Sequence, residues 1–255
     1  MIRKRIARAG WYQKLGVQVR ARVPQQAIGR EFVAPRSHTA IVLLILVVLA
    51  IGAVVQTIRV PHDFVGSAGR LPLYGRILAV QLLLFWFVRA GIRRSGYSVR
   101  ALVDQSPWNV ARWTRYVGIG IAGWVFWMMF GAALGSFIRP TSDELQAVLQ
   151  FLPQGPVEKL CWVAFSIGTN FCEEVLYRGY LMRQFRALTG SATVALLLQA
   201  VVFGMGHVPL GMALMLSVTL LALFLGALAL WQKSLVPATI VHTCLSVFAA
   251  LISST

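Results

Sequence analysis

Acid is scarce in this chain: eight Asp and Glu stand against 24 Lys and Arg in 255 residues, and charged residues of every kind make up only 13%. Hydrophobic residues make up 58%, and the mean hydropathy is +0.71. That balance excludes an ordinary soluble domain. Cysteine is scarce too. Cys161, Cys172 and Cys244 all lie in apolar segments and match no zinc or redox spacing, so they read as small buried hydrophobes and imply no disulfide framework. Three catalytic patterns are absent: Gly-x-Ser-x-Gly for a serine nucleophile, His-Glu-x-x-His for a zinc helix, and a pair of aspartates within apolar segments. No internal repeat or low-complexity tract breaks the chain.

What remains is apolar helix. Seven segments approach the roughly 20 residues needed to cross a bilayer: about Ala40 to Ile58, Leu73 to Val88, Tyr116 to Ile138, Glu158 to Leu181, Ala192 to Val208, Pro209 to Trp231, and Leu235 to Ser253. The expected fold is all-α, a polytopic membrane helical bundle of about seven transmembrane helices, or eight if a half-length or re-entrant segment lies near Pro209. The stretch from Arg89 to Arg115 carries Trp108, Arg112, Trp113, Arg115 and Tyr116, a pattern that suits an interfacial helix leading into the third span.

Charge gives the orientation. Nine Lys and Arg fall in residues 1–39, six between Arg89 and Arg115, three between Arg178 and Arg186, and one at Lys233, all in segments that alternate to one side. By the positive-inside rule that side is cytoplasmic, with the N-terminus in and the C-terminus out. Residues 1–39 form a basic cytoplasmic arm suited to anionic lipid headgroups, and a cleaved signal peptide is not expected. Nucleic acid is the weaker partner for this arm, since membrane insertion itself demands positive flanks. Residues 40–150 are expected to be N-terminal transmembrane helices and residues 151–255 a catalytic helical core.

The adjacent glutamates Glu173 and Glu174 lie inside an apolar stretch, where a carboxylate costs roughly 3 kcal/mol and marks function by default. Thr169, Asn170, Glu173, Tyr177 and Tyr180 recur at helical spacing and so share an expected inward face. Arg178 stands four residues after Glu174, at ion-pair spacing, which leaves Glu173 as the free carboxylate and candidate base. Gln199, Phe203 and His207 form one face of the next segment, and His242 and Ser246 stand four apart in the last. Counting from Arg183 and Lys233, Glu173 and His242 each sit about 14 Å into the membrane at 1.5 Å per residue. Glu173 and His207 are equidistant from Gly190, the expected turn between their helices, so the three clusters share a depth in the cytoplasmic half of the bilayer.

Glu-Glu-Val-Leu-Tyr-Arg-Gly-Tyr-Leu at Glu173 to Leu181, Phe-Gly-Met-Gly-His at Phe203 to His207 and His-Thr-Cys-Leu-Ser at His242 to Ser246 resemble three ordered motifs. They are similar to those of the CAAX protease and bacteriocin-processing family, intramembrane endopeptidases like the type 2 CAAX prenyl protease. The resemblance covers about Gly155 to Ala250. It departs at Ser246, where that family usually has Asn. It implies that Glu173 and His207 activate a water and that His242 and the residue at 246 stabilise the oxyanion; Glu174 with Arg178 is, by its spacing, the candidate structural clamp, and Phe203 a supporting residue. The resemblance further implies a peptide or lipidated-protein substrate and a bacterial plasma membrane setting. Water activation without a cofactor is the expectation; zinc held by Glu173, His207 and His242 is the alternative. Two other classes stay open: a catalytically silent scaffold or immunity-type protein, and a proton-coupled transporter, although no pseudo-symmetry between halves supports the latter.

Overall fold

The computed structural model describes residues 31–59, 65 and 69–252. Most of the basic arm expected over residues 1–39, up to residue 30, lies outside the described residues. Everything described is helix and connecting turn, save an isolated antiparallel bridge between Asp104 and Ser234. This is the polytopic helical membrane bundle that the hydropathy implies.

The helices are α1 (Arg36–Arg59), α2 (Arg70–Arg94), α3 (Val99–Val103), α4 (Val110–Leu134), α5 (Ser142–Phe151), α6 (Pro156–Glu173), α7 (Met182–Thr189), α8 (Ala192–Met205), α9 (Met212–Gln232) and α10 (Val236–Ile252). A π-helical segment, Glu174–Leu181, joins α6 to α7 without a break. Among the described residues, α1, α2, α4 and α9 are long and apolar enough to cross a membrane, and α8 and α10 are shorter apolar helices.

Several ends follow from local chemistry. Asn109 and Ser191 accept backbone N–H groups at the starts of α4 and α8, Pro156 opens α6, and Gly190 at φ 69° ends α7. The second span begins at Arg70 rather than Leu73, because one Arg near a helix end reaches the interface without breaking the helix. The interfacial helix expected before the third span is split into the short α3 and the start of α4, separated by the non-helical stretch 104–109. No re-entrant helix forms near Pro209; a 3-10 turn, Val208–Leu210, stands there instead.

Close approach of backbones holds the bundle together. A Cβ on Gly204 would meet the Thr219 side chain, and one on Gly120 would meet Ile240, so α8 packs tightly on α9 and α4 on α10. α10 also lies against α6, and α6 against α2. Gln199, expected to face the site, instead donates to the Ala222 carbonyl at 3.0 Å and ties α8 to α9.

The amphipathic α5 was not anticipated, being too short and polar to register as a span. Glu144 makes it a strap: Oε2 accepts the Thr141 N–H at 2.8 Å in a capping box, while Oε1 accepts Met212 and Ala213 N–H groups at the start of α9. One carboxylate thus caps two helices. The Thr141 N–H above all, then those of Ala213 and Met212, hold Glu144 below the usual carboxylate range. A group depressed on folding contributes stability above its unfolded pKa and loses it as pH falls through the folded value. Hydrogen-exchange protection of Met212 and Ala213 is therefore expected to persist at neutral pH and to fall below about pH 4. Glu144→Gln should show the weakened protection already at neutral pH.

Candidate active site

The site is built around the π-helical turn. Glu173 ends α6 and Glu174 begins the wider π-helical segment, at whose far end Met182 N–H bonds the carbonyl of Tyr177, five residues back. Residues after the opening are rotated relative to a regular helix, so the expected single polar stripe divides. Tyr177 stays at the site, its ring 4.8 Å from that of Phe203. Tyr180 turns away to bond His38 Nδ1 at 2.8 Å and Thr39 Oγ1 at 3.1 Å. Thr169 bonds back to the Phe165 carbonyl at 2.9 Å.

Glu174 and Arg178 pair as their spacing predicts, with Arg178 Nη1 3.0 Å from Glu174 Oε1 and both side chains fully buried. The guanidinium also lies over the Phe203 ring, 4.5 Å from its centroid. His242 joins this pair from α10: its Nδ1 lies 3.0 Å from Glu174 Oε1 and its Nε2 3.8 Å from Glu173 Oε2. The imidazole therefore stands between the two carboxylates. With Nδ1–H donated to Glu174, the Nε2 edge is the one presented to Glu173.

Glu173 is not free, as the spacing with Arg178 had suggested. Gln81 of α2 donates its Nε2–H to Glu173 Oε1 at 2.8 Å. That bond occupies one carboxylate oxygen and leaves Oε2 facing His242. In the sequence Gln81 is only a lone amide in an otherwise apolar run, Leu78 to Phe87. The expected boundary at residue 150 thus does not mark off the site, since α2 contributes to it directly.

His207 lies just beyond the end of α8, at the start of the 3-10 turn, rather than on the helix face expected for a segment reaching Val208. Gly206 and Pro209 end the helix early. Phe203 still gathers it to the others: the Phe203 ring centroid is 5.0 Å from His207 and 5.8 Å from His242. His207 Nδ1 bonds the Phe203 carbonyl at 3.1 Å, which leaves Nε2 as its working nitrogen. Ser246 sits one turn along α10 from His242; its Oγ donates to the His242 carbonyl at 3.2 Å and accepts from Asn170 Nδ2 at 3.0 Å. Asn170, a member of the expected polar stripe, thus partners Ser246.

His242 Nδ1 is engaged by Glu174 and His207 Nδ1 by a carbonyl, so each ring presents Nε2, and among the described residues no three His, Cys, Asp or Glu side chains gather closely enough to hold a metal ion.

Removing one partner of the buried pair leaves the other charge uncompensated, at about 3–5 kcal/mol. Arg178→Met should accordingly lower the unfolding midpoint sharply, and the double variant Glu174→Gln/Arg178→Met should recover much of the loss, as read by thermal unfolding in detergent.

No curated protein and no solved structure matches the chain. Residues 156–248, which span α6 to most of α10 and contain both glutamates, His207, His242 and Ser246, match the family model described as type II CAAX prenyl endopeptidase Rce1-like. By that match, and by the three motifs it encloses, residues 156–248 are similar to the type II CAAX prenyl endopeptidases.

Proposed function

We propose that the chain is an intramembrane endopeptidase that hydrolyses a peptide bond of a membrane-associated or lipidated peptide, with Glu173 as the base. The family model that residues 156–248 match is described as type II CAAX prenyl endopeptidase, which supports this reading. One observation carries the assignment of roles: His242 stands between the glutamates, bound to Glu174 on one edge and facing Glu173 on the other, while Gln81 occupies the far oxygen of Glu173.

In this reading Glu174 and Arg178 are a fixed clamp and Glu173 does the chemistry. A water oriented by His207 Nε2 gives its proton to Glu173 Oε2 as its oxygen attacks the scissile carbonyl carbon. The carbonyl π electrons move onto oxygen, and the resulting oxyanion takes a hydrogen bond from His242 Nε2–H. Collapse of that intermediate breaks the C–N bond, and protonated Glu173 returns its proton to the leaving nitrogen. Glu174, holding His242 Nδ1–H, fixes the imidazole and offsets its positive charge.

The positive-inside count supports a cytoplasmic N-terminus, with the basic arm of residues 1–39 on anionic headgroups and the substrate arriving from the membrane or its cytoplasmic surface.

The experiment is cleavage of a panel of prenylated and membrane-anchored peptides by the purified full chain in detergent. Glu173→Gln should reduce cleavage by at least about 100-fold, the low end of what a positioned base contributes, and a chelator should leave the wild type unchanged. Cleavage by Glu173→Gln at the wild-type rate, or loss on chelation with recovery in zinc, would overturn the assignment.

A further inference from the structure

We infer that the side-chain amide of Asn170, rather than the hydroxyl of Ser246, is the second donor to the oxyanion beside His242, an assignment that rests on the hydrolase reading given under Proposed function. Ser246 has one hydroxyl hydrogen, and its Oγ uses it on the His242 carbonyl at 3.2 Å. The lone-pair side of the same oxygen accepts from Asn170 Nδ2 at 3.0 Å. A hydroxyl so committed has no hydrogen left for a third group. The Asn170 amide has two N–H bonds and gives only one of them to Ser246.

The placement suits the task. α6 and α10 run side by side, with Glu173 and Glu174 against His242 and, one turn away, Asn170 against Ser246. One turn is about 5.4 Å, so a carbonyl whose carbon meets a water held at Glu173 has its oxygen within reach of donors on the adjacent turn. Asn170 is buried, which raises the worth of a donor aimed at developing charge. Its partner Ser246 is held in turn, because Trp162 Nε1 donates to the Ser246 carbonyl at 2.7 Å. Ser246 thus acts as a positioning residue: it orients the amide through Oγ, and α6 supplies the donor that α10 lacks. In the reaction the electron pair of the carbonyl moves onto oxygen as the proton of water passes to Glu173, and the free Asn170 N–H and His242 Nε2–H share that charge until the C–N bond breaks. Nothing is transferred to or from Asn170.

The test measures kcat, KM and unfolding midpoint for variants of the full chain in detergent, on whichever prenylated or membrane-anchored peptide the wild type cleaves. Asn170→Ala and the near-isosteric Asn170→Asp should each lower kcat by about 100-fold or more, with KM little changed. Ser246→Ala should lower it by less than about tenfold, since the Asn170 amide remains. The relocated variant Asn170→Ala/Ser246→Asn should regain at least about tenfold over Asn170→Ala, because an amide carried on α10 reaches the same place. Near-wild-type kcat in Asn170→Ala, a greater loss in Ser246→Ala than in Asn170→Ala, or a loss of kcat that follows the unfolding midpoint and is not restored by relocation would each overturn the assignment. Glu173→Gln runs beside them. If Glu173→Gln still cleaves, or if the wild type cleaves no peptide, the hydrolase reading itself falls and takes this assignment with it; a dead Glu173→Gln beside an active Asn170→Ala removes the Asn170 role alone.

Discussion

The buried pair of Glu174 and Arg178 is the constraint on which the rest of this structure depends. Two full charges with no exposure to solvent, 3.0 Å apart, persist only while each has the other. Phe203 supplies a π face beneath the guanidinium and His242 a hydrogen bond to the carboxylate, so the pair fixes the mutual placement of α6, α8 and α10. The same geometry sets two neighbouring carboxylates to different work. Glu174 has Arg178 and His242 both at Oε1; Glu173 has only an amide and the far edge of an imidazole.

The N-terminal helices belong to this arrangement rather than standing beside it. Gln81 reaches Glu173 from α2, and the opening of α1 is locked to the motif helix by a second polar network. His38 and Thr39 bond Tyr180, while Gln184 holds the Val33 N–H at 2.8 Å and the Ala34 carbonyl at 2.9 Å. On the side of α3, Arg183 caps its carbonyls and Ser234 bonds Asp104, tying the start of α10 to the loop before α4. A π turn is poorly stabilised by its own hydrogen bonds; here Tyr177 and Arg178 meet Phe203 of α8, Tyr180 meets α1, and Gly179 lies against Leu102 of α3 and Leu235 just before α10.

Helical membrane architecture was legible from apolar runs and the scarcity of charge, and the Glu174–Arg178 pairing from spacing alone, because both follow from local periodicity. Gln81, a single polar residue in an apolar helix, carried no pattern of its own, and only the approach of α2 to α6 gives it a partner. The division of the polar stripe was hidden as well: a wheel of 3.6 residues per turn assigns Tyr177 and Tyr180 to one face, and the π turn sends them to different neighbours. His207 was found as a site residue by its motif, yet its position on a turn depended on where Gly206 and Pro209 end α8. The link from Asn170 to Ser246 is a contact between residues 76 apart, visible only once α6 and α10 are side by side.

The division of labour between the two glutamates is tested most directly by the unfolding midpoints of Glu173→Gln and Glu174→Gln, measured together in the same detergent. Glu174→Gln should fall sharply, because Arg178 is left as a buried charge without its partner. Glu173→Gln should stay at or above the wild-type value, because glutamine still accepts from Gln81. Equal falls in the two variants, or a fall confined to Glu173→Gln, would contradict a clamp at Glu174 and a reactive carboxylate at Glu173.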